Sequence, residues 1–211
     1  MKKISVFNHV TLDGYFAGVN GEIDWFKSLK KDIVWEEYSH TQARSGNTLI
    51  LGRTTYDLMK SYWTSDEAIR HDRDTADAIN SGPKIVFSKT IDFIEEEPNW
   101  QNVRLRHNID VDEILRIKED EDMTILGSGS IVQQFANLNL IDEYHLIVVP
   151  VSLGKGKRIF KDIEKMELDL LEARSFKNGL VLLRYQPPVS SLLSVALPKF
   201  DLKPDKQPYI E

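Results

Sequence analysis

Met123-Thr124-Ile125-Leu126-Gly127-Ser128-Gly129-Ser130-Ile131-Val132-Gln133-Gln134-Phe135-Ala136 is the stretch whose reading decides the fold. Its first four residues have the apolar character of a short buried strand. Gly127 to Ser130 break that strand, and from Ile131 the apolar positions take helical spacing. A strand that enters a glycine turn and then a helix can seat an anion: the glycines let a ligand approach the backbone, and the unpaired N–H groups and the helix dipole favour negative charge. The glycines alone also fit a plain strand-to-helix turn. Downstream, Leu140-Ile141-Asp142-Glu143 leads into a β run from Tyr144 to Val151, then into the loop Gly154-Lys155-Gly156-Lys157-Arg158-Ile159-Phe160.

Upstream, strands and helices alternate. Lys3 to Val10 is β-rich and ends in Thr11-Leu12-Asp13-Gly14-Tyr15-Phe16-Ala17-Gly18, a loop marked by turn residues. A helix is predicted from Trp35 to Ala43 and a short strand from Thr48 to Leu51. The strand meets Gly52-Arg53-Thr54-Thr55-Tyr56, a second turn of anion-seating design. One polar helix is predicted over Asp66 to Asn80, a buried strand over Lys84 to Phe87, then a strand from Val103 to His107 and a helix from Val111 to Lys118. Leu168 to Phe176 and Leu180 to Tyr185 flank Lys177-Asn178-Gly179, a hairpin signal expected to close one edge of the sheet. The order predicts an α/β fold: a mixed, mostly parallel central sheet flanked by helices, with a C-terminal antiparallel hairpin. Prolines interrupt the chain from Pro187 onward, so residues 1–186 read as one domain and 187–211 as an extension.

Composition narrows the function classes. With 211 residues and 41% hydrophobic content the chain can bury one substantial core. A net charge of −6 leaves no basic surplus for nucleic acid, and no stretch is long and apolar enough to suggest a membrane span. The absence of cysteine excludes disulfides and thiolate metal sites and suits a cytoplasmic protein. The five histidines show no short ligand spacing, so no metal site is expected. Ser128 and Ser130 lie outside any Gly-x-Ser-x-Gly elbow, and Gly154-Lys155-Gly156-Lys157 lacks the upstream glycine and trailing hydroxyl of a P-loop.

Four segments in order carry a resemblance: Ile4-Ser5-Val6 with Leu12-Asp13-Gly14-Tyr15-Phe16-Ala17, Leu49 to Tyr56, Lys84-Ile85-Val86-Phe87-Ser88-Lys89-Thr90, and the glycine turn with the runs that follow it. Together they resemble the dihydrofolate-reductase-like family, most closely the reductase domain of the bifunctional riboflavin-biosynthesis deaminase-reductase. The resemblance implies an NADPH-dependent reductase acting on a small heterocyclic or sugar-like substrate. The narrower activity is 5-amino-6-(5-phosphoribosylamino)uracil reduction in riboflavin biosynthesis, and a non-catalytic nucleotide-binding protein on the same fold stays open. It also implies that Gly52, Arg53, Thr54, Thr55, Gly127, Ser128, Gly129, Ser130 and Ile131 bind the cofactor, with Arg53, Ser88 and Lys89 facing its 2′-phosphate. Asp13, Trp25 and Glu36 are the candidates for substrate contact, and Asp13 or Glu36 for assisting protonation. A glutamate expected by the riboflavin reductases is replaced by Gly127. A cis Gly127–Ser128 peptide, a homodimer, and burial of the apolar segment Leu192 to Phe200 are further expectations.

Overall fold

Residues Ile4–Thr11 form β1, in which Ile4, Val6 and Val10 are buried on one side while Phe7 and His9 point to the other. The computed structural model describes residues 2–26, 29–95 and 97–188. After β1 come β2 (Tyr15–Ala17), a single 3-10 turn at Asp24–Phe26, α1 (Ile33–Ala43), β3 (Thr48–Gly52) and α2 (Arg53–Trp63). Next are α3 (Asp66–His71), α4 (Arg73–Ser81), β4 (Lys84–Phe87), β5 (Val103–Arg106), α5 (Val111–Asp120) and β6 (Met123–Gly127). The described chain closes with α6 (Gly129–Asn137), β7 (Glu143–Val149), β8 (Lys157–Arg158), β9 (Asp169–Ser175) and β10 (Val181–Gln186). The segment from Leu192 to Phe200 lies outside the described residues.

The main sheet runs β5-β4-β3-β6-β1-β7-β10-β9. Its first six strands are parallel, and β10 is antiparallel to both β7 and β9. The hairpin therefore closes the edge as its turn residues predict. Strands buried on both faces divide their side chains between two layers. Val6, Ile50, Ile85 and Ile125 pack with Ile114 of α5 and with Ile131, Val132 and Phe135 of α6. On the opposite face Leu51 and Val86 pack with Tyr56 of α2, Ile79 of α4 and Trp100. Further along that face, Ile147, Val149 and Leu182 meet Trp35 and Tyr38 of α1.

Two elements depart from the sequence reading. The helix predicted over Asp66 to Asn80 is two, broken at Asp72, whose backbone is extended at φ −153 and ψ 86. Asp72 accepts from Thr75 N at 3.1 Å to cap α4 and takes the Arg44 guanidinium at 2.7 and 3.0 Å. His40 of α1 also reaches it at 3.2 Å. Asp72 is thus a local N-cap for α4, held as well by contacts from the end of α1. Lys157 and Arg158, expected in a loop, instead pair with Tyr15 and Ala17 as a two-stranded ribbon apart from the main sheet.

The sheet places the site. The chain leaves β3 through α2 on one face, and leaves β6 through α6 on the other. The carboxyl ends of β3 and β6 lie side by side where the following helices turn to opposite faces, the position where open α/β sheets bind ligands.

Candidate functional site

Two helix N-termini meet at these strand ends. Gly52 is the N-cap of α2 and Ser128 that of α6, both with extended backbone and neither with a side-chain capping hydrogen bond. The helix starts therefore keep backbone N–H groups uncovered by cap side chains. A Cβ on Gly52 would lie 2.7 Å from Ser128 Oγ, 3.1 Å from Ser128 N and 3.2 Å from Ile131 Cγ1. The helices come this close only because residue 52 has no side chain. Gly127 has φ +126, a backbone L side chains rarely adopt, and a Cβ there would stand 3.0 Å from Thr55 Oγ1. The Gly127–Ser128 peptide is cis, as expected. Ser128 Oγ and Ser130 Oγ are 2.8 Å apart, and the Phe16 ring of β2 lies directly against Gly129.

Gly52 and Phe87 are register partners, so Arg53 and Ser88 leave neighbouring strands one residue beyond their ends. Arg53 Nε donates to Asp57 Oδ2 at 2.6 Å, an i,i+4 pair on the surface. The Ser88 hydroxyl lies 3.1 Å from Thr90 Oγ1, and the Ser88 carbonyl accepts from His107 Nδ1 at 2.8 Å. Lys89 and Thr54 are exposed, while Thr55 is half-buried.

Asp13 belongs to a different task. Its carboxylate accepts from Thr11 Oγ1 at 2.6 Å, Ser152 Oγ at 2.8 Å, Gly154 N at 2.7 Å and Leu153 N at 3.2 Å. The Thr11 hydrogen bond first, with the bonds from Gly154, Ser152 and Leu153, holds it far below the usual carboxylate range. It is therefore ionised at neutral pH and ties the loop after β1 to the loop after β7. The proton-donating role anticipated for Asp13 does not suit this geometry. Glu36 lines a groove along α1 with Glu37, His40 and Arg44, and its carboxylate makes no hydrogen bond among the described residues. Trp25, on the 3-10 turn, packs against the cluster that holds Phe7 and Trp35. His9 faces this layer, 5.5 Å from the Trp35 ring, and burial lowers its pKa to about 4, so it is neutral at physiological pH.

The structure adds Asn8, which the sequence reading passed over. It lies on the core face of β1 between Val6 and Val10, nine-tenths buried, and Asn8 Nδ2 donates to the Leu126 carbonyl at 2.8 Å. Asn8 Oδ1 has no hydrogen-bond partner among the described residues. The available signal was an amide at a position of the strand whose neighbours on the same face are apolar.

Among the described residues no group of three or more histidine, aspartate or glutamate side chains could hold a metal ion. No described helix is long and apolar enough to cross a membrane. Residues 2–182 match the family model described as the RibD C-terminal domain. The chain belongs to this family. As a RibD-type reductase it is an enzyme of the oxidoreductase class with the dihydrofolate-reductase-like fold. It is 31% identical over 179 residues to the uncharacterized protein YyaP of Bacillus subtilis, covering 83% of this chain and 90% of that one. A solved structure from Shewanella sp. PV-4, provisionally assigned to riboflavin biosynthesis, superimposes with a TM-score of 0.69 at 22% identity, covering 88% of this chain and 99% of that one. Dihydrofolate reductase from Enterococcus faecalis shares the fold at a TM-score of 0.54 and 15% identity, with 88% and 96% covered.

Proposed function

We propose that this RibD-type reductase is NADPH-dependent and transfers hydride to a small heterocyclic or sugar-like substrate. The observation that carries the reading is the abutment of Gly52 on Ser128, which sets two helix N-termini side by side. Such a pair suits a dinucleotide pyrophosphate, because both dipoles and their open N–H groups favour one anion between them. In this reading Gly52 to Thr55 and Gly127 to Ile131 hold the pyrophosphate and adjoining ribose. Arg53, Ser88 and Lys89 meet the 2′-phosphate. To do so Arg53 releases Asp57; an exposed pair is worth about 0.2–1 kcal/mol, less than the ~1.5–3 kcal/mol of a hydrogen bond to a charged group. When bound, the cofactor supplies the hydride from its nicotinamide ring.

The chain's own part is to bind, orient and exclude water. Phe16 covers the start of α6, and the Asp13 hydrogen bonds keep the loop that carries it in place. Trp25 and Glu36 are the proposed substrate contacts, Trp25 offering a flat apolar surface and Glu36 an acceptor. The family also supports the narrower reading, reduction of 5-amino-6-(5-phosphoribosylamino)uracil in riboflavin biosynthesis. Gly127 offers no carboxylate where the resemblance implies one, so the substrate is proposed as a class. We further propose that residues 1–186 are the catalytic domain and 187–211 an extension, in a cytoplasmic homodimer.

Titrating the purified protein with NADPH, followed by fluorescence, and then adding a panel of reducible heterocycles tests the reading. Saturable binding and substrate-dependent NADPH oxidation are expected. Binding with no oxidation by any member of the panel would favour a nucleotide-binding protein, and no binding would overturn the assignment.

A further inference from the structure

The segment between β8 and β9 carries an apolar groove of about 260 Å³, lined by Phe160, Ile163, Glu164, Met166 and Leu168. Its floor is the core layer beneath α5 and α6, against which Ile163, Met166 and Leu168 pack. The Tyr144 hydroxyl donates to Met166 Sδ at 3.5 Å, and the Phe160 ring meets the Tyr144 ring edge-on with centroids 6.0 Å apart. Phe160 nevertheless stays 40% exposed. Leu170, which shares a face with its register partner Tyr185 of the same layer, is 56% exposed. Large apolar groups gathered in the open mark an interaction surface.

The course of the chain selects the occupant. Gln186 is the register partner of Asp169, so β10 delivers the chain beside Leu168, at the rim of the groove. From Pro188 the sequence continues to Glu211, and Leu192, Leu193, Val195, Ala196, Leu197 and Phe200 fall close together in it. The steps from Pro188 to Leu192 reach about 14 Å when extended, whereas adjoining strands are only about 4.8 Å apart. So short a tether gives an effective concentration of order millimolar, which a second copy or an unrelated protein does not match at ordinary concentrations. We propose that residues 192–200 dock their apolar side chains in the groove of their own chain formed by Phe160, Ile163, Met166 and Leu168. Seated there, the segment pins the β9–β10 edge to the layer under α6. Tyr185 pairs with Tyr144 near the start of β7, so this seat lies at the amino-terminal ends of the parallel strands. The glycine turns lie at the other end, and the proposal is independent of the NADPH reading.

The chain has no cysteine, so introduced thiols report alone. In the full-length protein Ser194→Cys puts a thiol within the apolar segment, and it is paired either with Glu164→Cys in the groove or with Glu172→Cys as the control. Glu172 is equally near the exit of the chain but faces the other side of the sheet, where its carboxylate takes Arg184 at 3.1 Å. Leu170→Cys, at the exposed rim, serves as a second groove thiol. Each double variant, its fold checked by melting, is treated with a short bismaleimide, and the linked species are resolved by mass. Links within one chain to positions 164 and 170 should form at least about tenfold faster than to 172, because docking raises the local concentration above that of a tethered free segment. Adding Leu193→Asp and Leu197→Asp should bring the rates to within about twofold of the control, since the tether then acts alone. Equal rates at groove and control in the absence of the aspartates overturn the proposal. So does a groove preference that the aspartates leave undiminished. Links to the groove that form only between two chains assign it to a second copy and overturn docking within one chain.

Discussion

Gly52 and Ser128 touch where β3 and β6 part, with the Cα of Gly52 so near that a Cβ on it would lie 3.1 Å from the Ser128 backbone nitrogen. Residues 76 positions apart in the chain, by subtraction of their numbers, thus form one wall. Each contributes a helix N-terminus, and their convergence is what the proposed dinucleotide seat rests on.

Gly52→Ala tests that convergence. The backbone at Gly52, φ −81 and ψ 161, accepts an alanine, so the cost is steric: Ser128 Oγ can rotate away, but Ser128 N and Ile131 have to shift. Overpacking of this kind costs about 1–3 kcal/mol. A folded protein with a melting temperature lowered by a few degrees and NADPH affinity reduced at least about tenfold is expected, read by melting and titration. Unchanged affinity would detach Gly52 from the cofactor.

Arg53→Ala should weaken NADPH by at least about tenfold more than NADH, because only NADPH carries the phosphate that this guanidinium would meet. Asp57→Ala should act in the opposite direction by releasing Arg53 from its 2.6 Å surface pair. Raising the salt concentration should narrow the difference between the two cofactors. Parallel titrations with both cofactors decide it, and equal weakening by Arg53→Ala would remove the 2′-phosphate role.

Acid should destabilise the fold before the carboxylates titrate. Burial lowers the pKa of His9 to about 4, so below its ordinary value of 6.5 the unfolded chain binds the proton more readily than the folded one. Stability is full above pH 6.5 and declines as pH falls toward 4. Over the 1.5 units from 6.5 to 5 the loss from His9 is about 2 kcal/mol, at ~1.4 kcal/mol per unit. His145, also lowered by burial, adds in the same sense. Urea midpoints measured between pH 7.5 and 5 should show this decline, and His9→Gln, which carries no proton, should flatten it.

Glu143→Gln should be among the more damaging single changes. Burial opposes the charge of this carboxylate, yet hydrogen bonds from Arg184, Lys3 and His145 hold its pKa down to about 2. Arg184 Nη2 stands 2.9 Å away and His145 Nε2 2.8 Å, with Lys3 in direct contact. Lys3 is exposed and Arg184 keeps Glu172, so losing the carboxylate leaves no unpaired buried charge and should cost about 1.5–3 kcal/mol, the worth of a hydrogen bond to a charged group. Its stabilisation is present above pH 4.5 and fades as pH falls from there toward 2, so the variant should lose the corresponding part of the acid transition. Urea unfolding at pH 7 and pH 4 compares the two; a change under about 1 kcal/mol at pH 7 would place the network among surface-like pairs.

The sequence by itself determined what local chemistry controls. Gly127-Ser128-Gly129-Ser130 between an apolar strand and a helical run, Gly52 ahead of the hydroxyls, and Lys177-Asn178-Gly179 between two β runs each announce a turn through residues only a few positions apart. Their order along the chain was enough for the α/β fold and its closing hairpin. The tertiary structure alone decided the rest. Asp72, which caps α4 through Thr75, gains Arg44 and His40 from α1, and Asp13 becomes a loop clamp because residues 152–154 come to it from the far end of β7. Asn8 meets the Leu126 carbonyl only where β1 and β6 diverge. A side chain's hydrogen-bond partners and burial depend on which distant strand or helix is packed beside it, and propensity and periodicity, being local, carry no record of that neighbour.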